Sequence, residues 1–162
     1  MILYKLTDEN GKSYGNTQWG EGVTHTAEGN GAELCSNGFI HAYECPLLAI
    51  LLNPMHADFK NPKLWESEGD ITKRDGQLKC GCKTLTTLKE LPLPNITTEH
   101  KVRFAIYCAL EVYTAPEFIT WANRWLEGRD RSAAAADAAD ARAGEIDLIS
   151  IARKAFAQGG YR

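Results

Sequence analysis

A carboxylate flanked by aromatic rings is the minimal equipment for cleaving a glycosidic bond: the charge sits near the anomeric carbon while the rings exclude water. The chain carries these residue types in scattered pieces. Glu66 follows Trp65 in Leu64-Trp65-Glu66, Tyr43 follows His41 by two in Phe39-Ile40-His41-Ala42-Tyr43, and Tyr4 and Trp19 lie upstream. Tyr4, Trp19, His41, Tyr43, Trp65 and Glu66 are therefore candidates for a ligand pocket. An enzyme would draw on Tyr43, Glu66 and His41. The same residues have a plainer explanation, in which Tyr4, Tyr43 and Trp65 fill a sheet face, Glu66 is solvated and His41 is a hydrogen-bonded histidine in a half-buried strand. A lone histidine with no partner at a recognisable spacing favours the plainer explanation, and no catalytic residue is assigned.

Other residue types add little chemistry. His25 sits on a polar alternating segment, His56 just past a helix-ending proline, and His100 in the first turn of a helix, where a positive charge is mildly unfavourable. Phosphate-loop, dinucleotide-fold, zincin and nucleophile-elbow motifs are all absent. The five cysteines, Cys35, Cys45, Cys80, Cys82 and Cys108, show no paired framework and are expected to be free thiols. Cys80-Gly81-Cys82 with His41 or His56 is the one combination with ligand chemistry. Structural zinc sites want at least two residues between paired cysteines, so no metal is expected.

The elements that position these residues fall into two regimes. From Met1 to Pro94, short apolar alternations broken by turn residues predict strands with one inserted helix. Ile2–Thr7 leads into Asp8-Glu9-Asn10-Gly11, a hairpin signal, with Lys12-Ser13-Tyr14 as the returning strand. Val23 to Ala27 and Phe39 to Tyr43 read as strands. Pro46 opens an apolar helix that Pro54 should end, and its near-continuous apolar surface predicts burial. Leu64–Glu68, Gln77–Cys82 and Thr84–Leu91 read as three more strands, separated at Gly69-Asp70 and Arg74-Asp75-Gly76.

The second regime is helical. Thr97 or Thr98 caps a helix to about Tyr113, with Val102, Ala105, Ile106, Ala109 and Leu110 as its stripe. Thr114-Ala115-Pro116-Glu117 reads as a capping box for a helix bearing Phe118, Trp121, Ala122, Trp125 and Leu126, which Gly128 stops. Asp130 or Ser132 opens an alanine-rich arm, Ala133 to Ala143, followed by Ile146, Ile149, Ile151, Ala152 and Phe156. The expected fold is α+β: a compact β-rich domain with one buried helix over residues 1–95, and a helical subdomain with an Ala-rich arm over 96–162, packed on it.

With 162 residues, 44% hydrophobic and 24% charged, the composition is that of an ordinary globular protein. The apolar run Pro46–Leu52 is too short to span a bilayer, and Met1 leads straight into a strand without a charged leader, so a cytoplasmic protein is expected, inside a bacterial host. Residues 1–98 carry 9 basic against 12 acidic side chains and residues 99–162 carry 9 against 9, which gives no surface for direct nucleic-acid binding. Arg124, Arg129 and Arg131 cluster at one helix end beside Trp125. They suit the helix dipole, and Arg beside Trp is also the composition of protein–protein hot spots. These four are the candidate partner-binding residues.

Nearly the whole chain resembles an uncharacterised family of small proteins carried by phages and prophages. The resemblance rests on Trp19-Gly20-Glu21-Gly22, F-I-H-A-Y, P-L-L-A-I-L-L-N-P, L-W-E from Leu64, A-L-E-V-Y from Ala109 and the D-R-S-A-A-A-A run from Asp130. Its setting implies an accessory or counter-defence role; together with the absent catalytic signature and the Trp- and Arg-rich helical surface, the expectation is a non-catalytic protein without cofactor that binds and inhibits a bacterial protein or ribonucleoprotein complex. Counter-defence against a CRISPR–Cas effector is one such role.

About 95 N-terminal residues also resemble ADP-ribosyltransferase-like domains, through Gly38-Phe39-Ile40-His41 and Trp65-Glu66. Lys5 stands where that family places an NAD-contacting histidine. This second resemblance implies NAD as cofactor, a host protein as substrate, and Glu66 as the carboxylate that steadies an oxocarbenium-like transition state.

Overall fold

The computed structural model describes residues 1–129, 131 and 147–157, and the chain divides into two units, Met1–Asn95 and Ile96–Arg162. The architecture is α+β. The first unit contains strands β1 (Ile2–Thr7), β2 (Thr24–Thr26) and β3 (Ile40–Ala42), helices α1 (Pro46–Leu51) and α2 (Asn53–His56), then strands β4 (Lys63–Asp75) and β5 (Lys79–Leu91). All pairings are antiparallel, in the order β1-β4-β5-β2, with β3 also on β5. Past the end of β3, Tyr43 pairs with Tyr4 through reciprocal backbone hydrogen bonds of 2.8 and 2.9 Å. That bridge brings β3 from the far side of β5 back onto the free edge of β1, so the sheet curls toward closure and the open edge is partly covered.

Period-two alternation then sorts each strand's side chains. Leu3, Lys5 and Thr7 on β1, Trp65 and Ser67 on β4, Ala42 on β3, and Cys80 and Cys82 on β5 are all buried. Leu3, Ala42, Cys80 and Cys82 pack with Trp19 and Leu85 in one cluster. On the other parity, Leu6 and Leu64 are buried as well, and α1 packs against β1.

Three features depart from the sequence pattern. The turn after β1 forms, with Asp8 Oδ1 accepting from the backbone of Asn10 (2.9 Å) and Lys12 (2.7 Å) and with Gly11 at φ 77°. No strand returns from it. Lys12 bridges only Gln18, Tyr14–Asn16 forms a short 3-10 turn, and the partner of β1 is β4. Lys12-Ser13-Tyr14 has no apolar face to offer, and Tyr14 is 98% exposed.

The expected break at Gly69-Asp70 is a bulge inside one long strand, and β4 and β5 form a single hairpin of two 13-residue strands. A Cβ on Gly69 would come within 2.8 Å of the Thr84 carbonyl, so glycine there permits the close crossing rather than a turn. Pro54, finally, lies in the first turn of α2 instead of beyond the last helix. Helix α1 buries a narrow stripe, Leu48 and Ala49 followed by its cap Leu52, while Leu47, Ile50 and Leu51 are only half-buried.

The second unit contains α3 (Thr98–Val112), α4 (Pro116–Leu126) and α5 (Leu148–Ala157). Thr97 caps α3 reciprocally with His100: the threonine hydroxyl accepts from the His100 backbone at 3.3 Å, and His100 Nδ1 accepts from the Thr97 backbone at 3.2 Å. An imidazole nitrogen takes the place of the usual glutamate in this cap. Thr114 does not cap α4. Ala115 takes that position without a side-chain bond, and Pro116 supplies the preset φ.

Helix α3 has two working faces: Ile106 and Ala109 pack with Phe118, Ala122 and Trp125, while Tyr107 packs with Ile151 and Ala155. Ala105, expected in the stripe, is exposed, and Arg103 is buried in an ion pair with Glu99 at 2.9 Å. The Arg103 and Arg131 guanidiniums hold Glu99 below the usual carboxylate range. Asp130 and the alanine arm from Ser132 to Ile146 lie outside the described residues.

Candidate functional site

The six candidate pocket residues are distributed over both parities of the sheet. Tyr4 lies opposite Glu66 across β1 and β4, Tyr43 lies on the other side of Tyr4, and Glu66 lies opposite Lys89 on β5. Tyr43, Tyr4, Glu66 and Lys89 thus form one cross-strand row, with neighbours close enough to interact. His41, two residues before Tyr43, shares its parity. Trp19 and Trp65 belong to the opposite parity: Trp19 packs with Leu3 and Cys82, and Trp65 Nε1 donates to Thr7 Oγ1 at 3.0 Å. The carboxylate and the tryptophan walls therefore do not converge on one cleft.

In this row the side chains of Glu66, Lys89 and Tyr43 already have partners, and so has that of His41. Glu66 pairs with Lys89 at 3.4 Å. The Tyr43 hydroxyl meets His56 Nδ1 at 3.0 Å, with the two rings stacked 5.8 Å apart. Burial, with the Cys80 sulfur adding to it, pushes the Tyr43 phenol up to about 12, so it stays protonated and able to donate. Burial and the nearby Lys79 ammonium pull His56 below its usual value. His41 Nε2 bonds the Leu34 carbonyl, and burial lowers its pKa against the opposing effect of that bond. His41 thus anchors the loop before β3. His41→Gln is expected to cost about 1 kcal/mol, the worth of one hydrogen bond, in a urea titration of the full chain. A midpoint unchanged from wild type would show that the anchor carries no weight.

Lys5 is the residue the sequence pattern undervalued. It faces inward with Leu3 and Thr7 and is 8% exposed; its Nζ donates to the His41 carbonyl at 2.9 Å and lies 5.1 Å from the Trp19 ring centroid. Burial pulls its ammonium down to about 8, against the pull of the Cys82 and Cys80 sulfurs. Its placement beside the inward residues of β1 was available in the alternation, but lysine at such a position ordinarily reaches out to water. The contact of His56 with Tyr43 is not visible in the sequence, because Pro54 reads as a helix end rather than as part of the second helix that carries His56. Cys35 and Lys79 were missed because only the β3–β5 register brings them together.

All five cysteines are free. Cys80 and Cys82 point inward with Ala42, whereas His41, opposite Gly81, has the other parity, so thiols and imidazole do not face a common point. Among the described residues no group of three metal-ligating side chains converges. The hydrogen bond that the Cys80 thiol makes toward Cys82, and then burial, raise the Cys80 thiol, which keeps it protonated.

The candidate partner-binding cluster on α4 is partly used within its own unit. Trp125 is 8% exposed, Arg131 stacks over it with its guanidinium carbon 4.2 Å from the ring centroid, and Arg131 also reaches Glu99 at 3.1 Å. Arg129 pairs with Glu127. Arg124 is exposed and has no ion pair among the described residues; it lines a shallow groove with Pro116, Glu117, Thr120 and Trp121. Trp121 Nε1 is buried and has no hydrogen-bond acceptor there. Among the described residues no helix is long and apolar enough to cross a membrane.

Comparison with curated proteins and with solved structures yields no match. A family model described as a domain of unknown function, DUF7666, matches residues 1–99, which include every strand among the described residues and all the residues of the cross-strand row. The chain belongs to the DUF7666 family.

Proposed function

We propose that the protein is a non-catalytic binding protein that engages a bacterial host protein complex through the outer surface of α4. The observation that carries this reading is the separation of the would-be catalytic parts: Glu66 is neutralised by Lys89, the Tyr43 hydroxyl is held by His56, and Trp19 and Trp65 lie on the other parity of the sheet. A glycosidic-bond transferase needs its carboxylate near the anomeric carbon and its aromatic walls on the same side as that carboxylate.

The α4 groove has what an interface asks for. Arg124 is an exposed cation with no ion pair among the described residues, and Ile119 (37% exposed) and Tyr113 (45% exposed) add apolar surface nearby in the chain. Aromatic side chains and arginine dominate binding energy at protein interfaces. The sequence resemblance to phage-borne small proteins supports an inhibitory, counter-defence role, with a CRISPR–Cas effector as one host complex of the required kind.

Affinity capture from bacterial lysate with the full chain, followed by mass spectrometry, should recover a defined complex that Arg124→Glu loses and His41→Gln retains. Equal capture by all three proteins would remove α4 as the docking surface.

A further inference from the structure

We propose that Cys35 and Lys79 form a modification site at which dioxygen joins the thiol and the amine through an N–O–S bridge. Cys35 is exposed, Lys79 opens β5, and Lys79 Nζ donates to Cys35 Sγ at 2.9 Å across 44 residues of sequence. Such contact distances place nitrogen and sulfur about one bridging atom from a covalent link. Lys79 forms no ion pair among the described residues, so sulfur is the partner its side chain meets.

The surrounding backbone holds the pair together. Gly81 lies two residues along β5 from Lys79, and a Cβ there would come within 2.5 Å of Leu34 Cδ1 and 3.0 Å of Phe39 Cβ. The missing side chain lets residues 34–39 lie directly on the strand. His41 Nε2 binds the carbonyl of Leu34, the residue before the thiol, and the Gly29 amide donates to the Asn37 carbonyl at 3.1 Å to close the loop beyond it. From β4, Lys73 Nζ donates to the Ala32 carbonyl at 2.6 Å and pairs with Glu33 at 3.3 Å. Fixing both reacting atoms converts a bimolecular encounter into an intramolecular one.

The chemistry balances with dioxygen as the oxidant. Lys79 first loses a proton to solvent. Thiol, neutral amine and dioxygen then give the S–O–N bridge and one water: a pair of electrons leaves sulfur and a pair leaves nitrogen, the S–H bond and one N–H bond break, and the S–O and O–N bonds form. One oxygen atom stays in the bridge, and the other leaves as water with the two hydrogens. The bridge ties the loop before β3 to β5 covalently, and a thiol reductant restores both side chains.

The full chain, purified anaerobically with dithiothreitol and then freed of it, is divided into an anaerobic and a dioxygen-exposed sample. The exposed sample should gain the mass of one oxygen less two hydrogens. Its protease digest should contain a peptide joining Cys35 to Lys79 that dithiothreitol releases. Cys35→Ser and Lys79→Arg should each abolish that peptide at wild-type melting temperature. Should either variant fold poorly, the wild-type digest decides alone. Exposed wild-type protein in which Lys79 remains cleavable by trypsin, with Cys35 as free thiol, sulfur oxyacid or intermolecular disulfide, would overturn the proposal.

Discussion

Leu48→Asp should abolish protection of the β4–β5 hairpin in amide hydrogen exchange of the full chain, whereas Leu51→Asp should retain most of it. Leu48 is 1% exposed on the stripe that α1 turns toward the core, and Leu51 is half-buried at the end of the helix. A carboxylate placed at Leu48 has no water and no partner, which costs several kcal/mol. That is comparable with the whole stability of a domain, roughly 5–15 kcal/mol. At Leu51 the same carboxylate can turn outward. Strong protection of the hairpin in Leu48→Asp would place α1 outside the core.

The second large effect concerns Lys5. Its ammonium is drawn down to about 8 when folded, below the ordinary lysine value, so the unfolded chain binds the proton more tightly. Below pH 8 both states are charged and the folded state bears the full burial cost. As pH rises from 8 toward the unfolded value that cost disappears, so Lys5 makes the protein more stable with rising pH across this window. The difference is roughly 3 kcal/mol, the fall from 10.5 to about 8 taken at about 1.36 kcal/mol per pH unit.

Lys5→Met removes the charge and keeps the length. It should be more stable than wild type at pH 7 by roughly 1–2 kcal/mol, the gain left after losing the hydrogen bond to His41 and the contact with Trp19. That advantage should shrink as pH rises above 8. Tyr43 and Cys108, both pushed up to about 12, titrate in the wild type and the variant alike, so the comparison cancels them. A pH-independent gap in paired urea titrations would show that burial does not perturb Lys5.

How far the fold was legible depended on whether its signals were local. Pro46, Thr97, Pro116 and Gly128 mark their helix boundaries within a few residues, because caps and preset dihedrals are set by the residues themselves. The long hairpin was not legible, since Gly69 reads equally as a turn or a bulge until Thr84 is known to cross it. The missing return of β1 has the same cause: its partner β4 is chosen by a buried face shared across the sheet, not by the turn at Gly11.

For the candidate site, composition found the right residue types, and Tyr4, Tyr43 and Glu66 do share a row. Parity across three strands decides that Trp19 and Trp65 do not join them, and no single strand reveals that. Lys89 as the partner of Glu66, His56 as the partner of Tyr43, and Lys79 beside Cys35 likewise depend on register and loop closure.

Isothermal titration calorimetry of NAD into the full chain tests the binding-protein reading most directly. The expected result is no saturable heat, with Glu66→Ala indistinguishable from wild type, because Lys89 occupies the carboxylate and the tryptophans lie on the other parity of the sheet. Saturable binding of NAD that Glu66→Ala abolishes would contradict it and return the cross-strand row to the role of an active site.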